Sequence, residues 1–133
     1  MLYDLCLRHK LDMRKRMRRN EDCMSEIMKN IAKAEILTLK EQVSYMENQV
    51  VSKTLIQNQN VNMTLFAFAK NEEISSHESK GDAFVLCLDG MGEITIDEEK
   101  YILIEGQTIV MPAGHPHAVY AKEQFKMLLV VTF

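Results

Sequence analysis

Apolar and polar positions over most of the chain fall into short runs that turn-forming residues separate. The turn-forming clusters lie at 58–60, 89–90 and 97–99. Strands are predicted, by residue number, at 50–57, 63–69, 73–77, 83–88, 93–96, 101–104, 108–111, 117–120 and 125–133. Turn residues recur about every 8–12 positions without a helical repeat between them, which predicts an all-β sandwich or barrel.

Two segments depart from the alternation of a half-buried strand. Ile27, Met28 and Ile31 have helical spacing and Ser25 can cap a first turn, so a short helix is predicted within residues 24–34. The closing run 127–131 is apolar on both faces, although one barrel layer buries only one of them. Its second face therefore needs a cover, either the short helix or a second copy, and a homodimer is predicted.

Length and composition indicate one compact unit. The chain has 133 residues, of which 47% are hydrophobic, which is ample for one core. No apolar run approaches the roughly 18 residues of a membrane span, and the N-terminus has no continuous apolar stretch of a secretion signal. A cytoplasmic protein without a membrane partner is predicted. The three cysteines share no metal-type spacing, which favours reduced thiols.

Charge is distributed unevenly along the chain. Residues 1–23 hold seven basic and four acidic residues, a net charge of +3, and residues 24–133 hold nine and fifteen, a net of −6. This basic N-terminal extension contains all five arginines: Arg8, Arg14, Arg16, Arg18 and Arg19. It is interpreted as a solvated tail, or as sequence upstream of a true start at Met24 or Met28. Nucleic-acid binding is disfavoured, because no aromatic residues are interleaved with the charges and no recognition domain follows.

The most informative stretch is 106–117. Gly106 permits a tight reversal after an apolar run, and Pro112 and Gly114 end the strand that follows. The chain then turns and places His117 at the start of the next strand. The spacing of Gly106, Pro112, Gly114 and His117 resembles the second conserved motif of the cupin superfamily.

The first cupin motif is matched only in part. Counting back from Gly90, the first histidine of the motif stands at His77, while Ser79 and Ala83 occupy the positions of its second histidine and its glutamate. The resemblance covers residues 35–133 and implies a double-stranded β-helix, or jelly-roll, cupin barrel that follows a short N-terminal helix. In such barrels the motif residues point inward and hold a divalent metal, so the resemblance implies a Zn, Ni, Fe or Mn site that is incomplete here.

His77 and His117 are the metal ligands that this resemblance leaves, and three protein ligands are the usual minimum. Asp82 is the candidate third ligand, although it is one residue out of register with the missing glutamate. Strand alternation places Glu78 outward and directs Cys87 inward as a small buried hydrophobe. The other candidates that were weighed are His115, in an exposed turn, and Met111.

Two functions are predicted from these residues. In the first, the barrel binds a small molecule in a pocket beside an incomplete metal site. The residues predicted to line that pocket are His77, Ser79, Ala83, Met111, His117 and Tyr120. In the alternative, the protein is a metal-dependent enzyme of the dioxygenase or isomerase type, which uses His77 and His117.

Overall fold

The computed structural model describes residues 27–133, which form an all-β fold, as predicted. The strands are β1 (Val50–Gln57), β2 (Val61–Phe68), β3 (Glu73–His77), β4 (Asp82–Ile96), β5 (Glu99–Ile104), β6 (Thr108–Met111), β7 (His117–Tyr120) and β8 (Phe125–Thr132). The predictions about residues 1–23 lie outside the described residues. Within residues 27–133, no helix is both long and apolar enough to cross a membrane.

The strands form a curled antiparallel sheet that folds at β4. Residues 82–90 of this 15-residue strand pair with β6 and β8, and residues 91–96 pair with β5 and β7. One wall of the jelly roll therefore has the order β1-β2-β8-β4-β6, and the other has the order β3-β7-β4-β5. Because β4 belongs to both walls, it holds them together as one layer wrapped around a core.

The continuity of β4 corrects one prediction. Asp89 and Gly90 were predicted to end a strand at residue 88, whereas the strand runs on to Ile96. The register shifts between Cys87 and Asp89, so Leu88 is the extra residue of a β-bulge that bends the strand. Gly90 has φ +76, and a Cβ there would meet the main-chain oxygen of Gln124. A bulge and a turn use the same residue types, which explains the error.

Two apolar clusters hold the sheet. The inner cluster lies between the walls, and Phe68 and Phe125 stack at its centre with ring centroids 4.8 Å apart. The outer cluster lies on the opposite face of the first wall and consists of Val43, Leu55, Leu65 and Ala67. Met28, Ile31 and Tyr45 pack against the outer cluster, so the segment before β1 covers much of this face.

That covering segment is not the predicted helix. Residues 27–34 form bends, and Asn30 and Ala34 have left-handed φ angles of 61° and 62°, which a right-handed helix does not allow. The segment is instead tied to β1, because the main-chain N–H of Lys29 donates to the carbonyl of Leu55 at 2.8 Å. The helix prediction is wrong over these residues, and a 3-10 turn follows at Leu39–Gln42.

Part of the outer face stays open. Phe84 pairs across strands with Val110 and Val130, and the first two are 38% and 51% exposed. The three side chains lie next to one another on β4, β6 and β8, on the face of the sheet that points away from the inner cluster. The homodimer predicted from the sequence stays a prediction.

Candidate functional site

A cavity of about 290 Å³ opens between the two walls at one end of the inner cluster. Most of its lining is apolar and comes from both walls: Phe66, Ile74, Ala83, Met111, Val119, Met127, Leu129, Val131 and Phe133. The polar lining consists of Asn62, His77, Glu78, Ser79 and His117. A concave, mainly apolar site with a few converging polar groups is the usual form of a small-molecule site.

His77 and His117 form the polar centre of this cavity. They occupy paired positions on β3 and β7, which brings the ring centroids to 4.5 Å with the ring planes at 72°. His77 lies at the exposed end of its strand, whereas His117 is 3% exposed. The Pro112 and Gly114 turn starts β7 at His117, so this histidine is fixed by main-chain pairing.

Main-chain carbonyls orient both imidazole rings. The Nδ1 of His77 lies 2.9 Å from the oxygen of Ser75, and the Nδ1 of His117 lies 3.2 Å from the oxygen of His115. A carbonyl oxygen only accepts, so each Nδ1 carries the hydrogen and donates it. In the neutral ring, Nε2 then keeps its lone pair. The pair therefore offers two hydrogen-bond acceptors, or two metal ligands.

The protonation state of His117 is biased towards neutral. Burial lowers its pKa below the ordinary value, and the nearby His77 lowers it further, while the hydrogen bond to His115 acts in the opposite direction. Desolvation disfavours the charged imidazolium in an apolar site. His117 is therefore uncharged at neutral pH, and its Nε2 is available to accept a hydrogen bond.

Five of the six predicted pocket residues lie together in the cavity: His77, Ser79, Ala83, Met111 and His117. Tyr120 does not line it, and its hydroxyl donates to Oδ1 of Asn71 at 3.0 Å. The reason is strand alternation, because residues three apart on β7 point to opposite faces. His117 and Val119 line the cavity, and Tyr120 belongs to the other side.

The predicted third ligand, Asp82, is also placed elsewhere. Its Oδ1 accepts the main-chain N–H of Ala113 at 2.9 Å, so this exposed carboxylate fixes the turn before His117. His115 is engaged with Asp97 at 3.0 Å on the surface. Both side chains stabilise the loop around the cavity, and neither lines it.

The remaining candidate ligands do not complete a site either. Cys87 is buried in the inner cluster, where burial raises the pKa of its thiol, and it is not part of the cavity lining. Glu78 does line the cavity, contrary to the outward orientation predicted for it, because β3 ends at His77 and alternation stops there.

Within residues 27–133, no three His, Cys, Asp or Glu side chains come close enough to hold a metal ion. A resident catalytic metal ordinarily has three protein ligands. The described residues therefore do not fit a resident metal of that kind, although the two imidazoles have the orientation that metal-binding histidines adopt.

Asn62 is the polar cavity residue that the sequence analysis did not name, and most of the apolar lining was not named either. Asn62 lies on β2 at an inward position, next to Val131 of β8. A polar residue in an otherwise apolar inward row is a signal, but it becomes visible only when the register of β2 against β8 is known. The sequence alone leaves that register open.

Fold and site together define a jelly-roll barrel with a two-histidine cavity. Residues 64–133 match the family model of the cupin domain, and the chain belongs to the cupin family. A conserved protein of unknown function from Streptococcus pyogenes is 50% identical, with a TM-score of 0.79 over 80% of this chain and 94% of that one. A cupin superfamily protein from Desulfitobacterium hafniense is 36% identical, with a TM-score of 0.76 over 80% of this chain and 97% of that one.

A local similarity to a characterised enzyme is also present. Quercetin 2,3-dioxygenase of Bacillus subtilis is 40% identical over an alignment of 62 residues, which covers 38% of this chain and 18% of that protein. The chain thus corresponds to less than a fifth of this relative's length.

Proposed function

We propose that this cupin binds a small, mostly apolar molecule in the cavity, with a hydrogen-bond donor of that molecule against His77 and His117. The observation that carries the proposal is the imidazole pair, whose centroids lie 4.5 Å apart in an otherwise apolar cavity of about 290 Å³. Ligand pockets range from about 300 to 1,000 Å³, so the occupant is at the small end of that range.

The electrostatics of the pair support a donor group on the ligand. Both Nδ1 atoms donate to carbonyls, and the pKa of His117 is lowered by burial, so its Nε2 is an acceptor at neutral pH. Glu78, which also lines the cavity, adds negative charge. A hydroxyl or an amine fits these groups, whereas a carboxylate is repelled.

A metal-dependent enzyme is the second candidate. Its support is the free Nε2 on each histidine and the local similarity to quercetin 2,3-dioxygenase. Metal content by mass spectrometry, and rebinding by calorimetry, on wild type, His77→Ala and His117→Ala separate the candidates. Stoichiometric metal that both variants lose would favour the enzyme. Absence of tight binding at micromolar metal favours the binding protein.

The binding proposal is tested by titrating 1-hexanol into methyl-labelled protein and following methyl resonances by NMR. Saturable shifts are expected at cavity methyls such as those of Ile74, Met127 and Leu129. Ala83→Leu fills the cavity and should abolish the shifts, because Ala83 lies on its wall.

The matched control is Ala118→Leu. It adds the same side-chain volume on β7, between His117 and Val119, but on the opposite face of the strand. Binding by the control should equal that of wild type. Shifts that never saturate, or equal binding by Ala83→Leu and wild type, would refute a binding cavity.

A further inference from the structure

Asn62 carries an unsatisfied polar group into the cavity wall. Among the residues of 27–133 that are not exposed, its Oδ1 is the one buried side-chain nitrogen or oxygen without a hydrogen-bond partner. The side chain also lines the cavity. A buried polar atom without a partner costs stability, so such an atom calls for a physical reason.

The sheet register places Asn62 opposite the histidines. Asn62 pairs with Val131, Val131 with Ala83, and Ala83 with Met111, which forms one inward row across β2, β8, β4 and β6. His77 and His117 belong to the other wall, on β3 and β7. Asn62 is the polar member of these four positions, and its partner on β1, Gln57, is exposed. The cavity therefore has polar groups on both walls and apolar side chains between them.

Folding alone does not account for an asparagine at this position. An apolar residue would pack beside Val131 without an unsatisfied atom, and apolar replacement of such a group is often neutral or stabilising. A polar group on a bound ligand would supply the hydrogen bond that the side-chain amide of Asn62 lacks. The energetic cost would then appear only while the cavity is empty.

We propose that Asn62 is a specificity-determining residue that bonds a second polar group of the cavity's occupant. This inference rests on the proposed function, because it assumes that the cavity binds a molecule at His77 and His117. Oδ1 has almost no accessible surface in the ligand-free protein, so the amide turns about its last side-chain bond to present Oδ1 as an acceptor or Nδ2 as a donor to the occupant. A hydroxyl suits both roles, so the occupant is a diol: an apolar body with a hydroxyl towards each wall.

The experiment compares 1-hexanol with butane-1,4-diol, hexane-1,6-diol and octane-1,8-diol on the whole chain by NMR. The diol that spans the cavity should bind wild type about fivefold more tightly than 1-hexanol, the value of one net hydrogen bond. In Asn62→Leu this preference, measured as the ratio of diol affinity to 1-hexanol affinity within the same protein, should vanish. Ligand-free Asn62→Leu should unfold at the same or a higher temperature.

Two controls accompany the variant. Asn60→Leu removes an exposed amide from the β1–β2 turn and should keep the diol preference. Asn62→Ala is the second variant if leucine overfills the cavity, and the same loss of preference is expected from it. The side-chain amide signals of Asn62 should shift with the diol and stay in place with 1-hexanol.

The outcomes separate this inference from the proposed function. Equal affinity of every diol and 1-hexanol for wild type, or an equal loss of both in Asn62→Leu, overturns the role of Asn62 and leaves the binding cavity standing. No saturable shift with any of these alcohols overturns both. A diol preference that Asn62→Leu removes supports both.

Discussion

His77 and His117 lie edge to face on paired strands, with ring centroids 4.5 Å apart and the ring planes at 72°. Two imidazoles this close disfavour a second positive charge, which is one of the reasons that the pKa of His117 is lowered. His117 is thus an acceptor at neutral pH and becomes a poorer one as the pH falls.

The lowered pKa of His117 predicts a pH-dependent stability. An unfolded histidine titrates near 6.5, and the folded one takes its proton only at lower pH, so the unfolded chain binds more protons in between. Stability is then complete above about pH 6.5 and falls as the pH drops towards the folded pKa. Urea midpoints of wild type should decline between about pH 7.5 and 5 more steeply than those of His117→Gln. The carboxylates titrate alike in both proteins, so only the loss of His117 separates the two curves. Urea midpoints that decline in parallel in wild type and His117→Gln would contradict the prediction.

Metal affinity should rise when the missing ligands are restored. Ser79 and Ala83 line the cavity beside the two histidines and stand where the cupin motif has histidine and glutamate. Four-ligand structural zinc sites bind with roughly 10–16 kcal/mol, or about 3 kcal/mol per ligand, so each added ligand should tighten zinc binding about a hundredfold. Calorimetry on Ala83→Glu and Ser79→His/Ala83→Glu measures this gain. Ala118→Glu is the control, because it lies on the opposite face of β7, and it should bind zinc like wild type. An equal gain in zinc affinity from Ala118→Glu and Ala83→Glu would refute the position of Ala83 beside the two histidines.

Asp82 should act on the turn before His117 and leave metal affinity unchanged. Its Oδ1 accepts the N–H of Ala113 at 2.9 Å. Asp82→Ala should lower the free energy of unfolding by about 0.5–1.5 kcal/mol, while Asp82→Asn keeps an acceptor and should lose less. Urea unfolding measures both. Loss of zinc binding in Asp82→Asn would restore Asp82 as a ligand.

Gly92 should tolerate no side chain while Phe125 is present. A Cβ at Gly92 would lie 2.5 Å from ring atoms of Phe125, which is fully buried. Overpacking of this kind costs about 1–3 kcal/mol, so Gly92→Ala should lower the unfolding free energy by that amount. Phe125→Leu replaces the ring with a smaller aliphatic side chain, and the double variant should be more stable than the sum of the single changes by about 0.5 kcal/mol or more. Strict additivity would show that the ring is not the obstacle.

Strand positions were largely readable from the sequence. Four predicted strands have the bounds of β1, β3, β6 and β7, because turn residues on both sides limit them. The helix predicted within 24–34 is wrong for the described residues 27–34. Three apolar residues at helical spacing are too few to outweigh contacts with β1 such as that of Lys29.

The site was predictable where a local motif carries it. His77, Ser79, Ala83 and His117 follow from motif spacing, and the structure brings them into one cavity. The placements of Asp82 and Asn62 depend on long-range pairing, which no local pattern contains. Tyr120 was wrongly assigned to the pocket, although the sequence held the information to avoid this error. Strand alternation alone places Tyr120 on the face opposite to that of His117.

The position of β8 also sets the order of events during synthesis. β8 lies between β2 and β4 and pairs with both, yet the ribosome makes it after every other described strand. At about 5–20 residues per second, the 64 residues from Phe68 to Thr132 take roughly 3–13 s. During that time β2 has an unpaired inner edge, and β4 has one from its own synthesis at Ile96 onward, so both edges are open to other chains. We therefore expect the nascent sheet to be most prone to association with other chains before β8 pairs with β2 and β4.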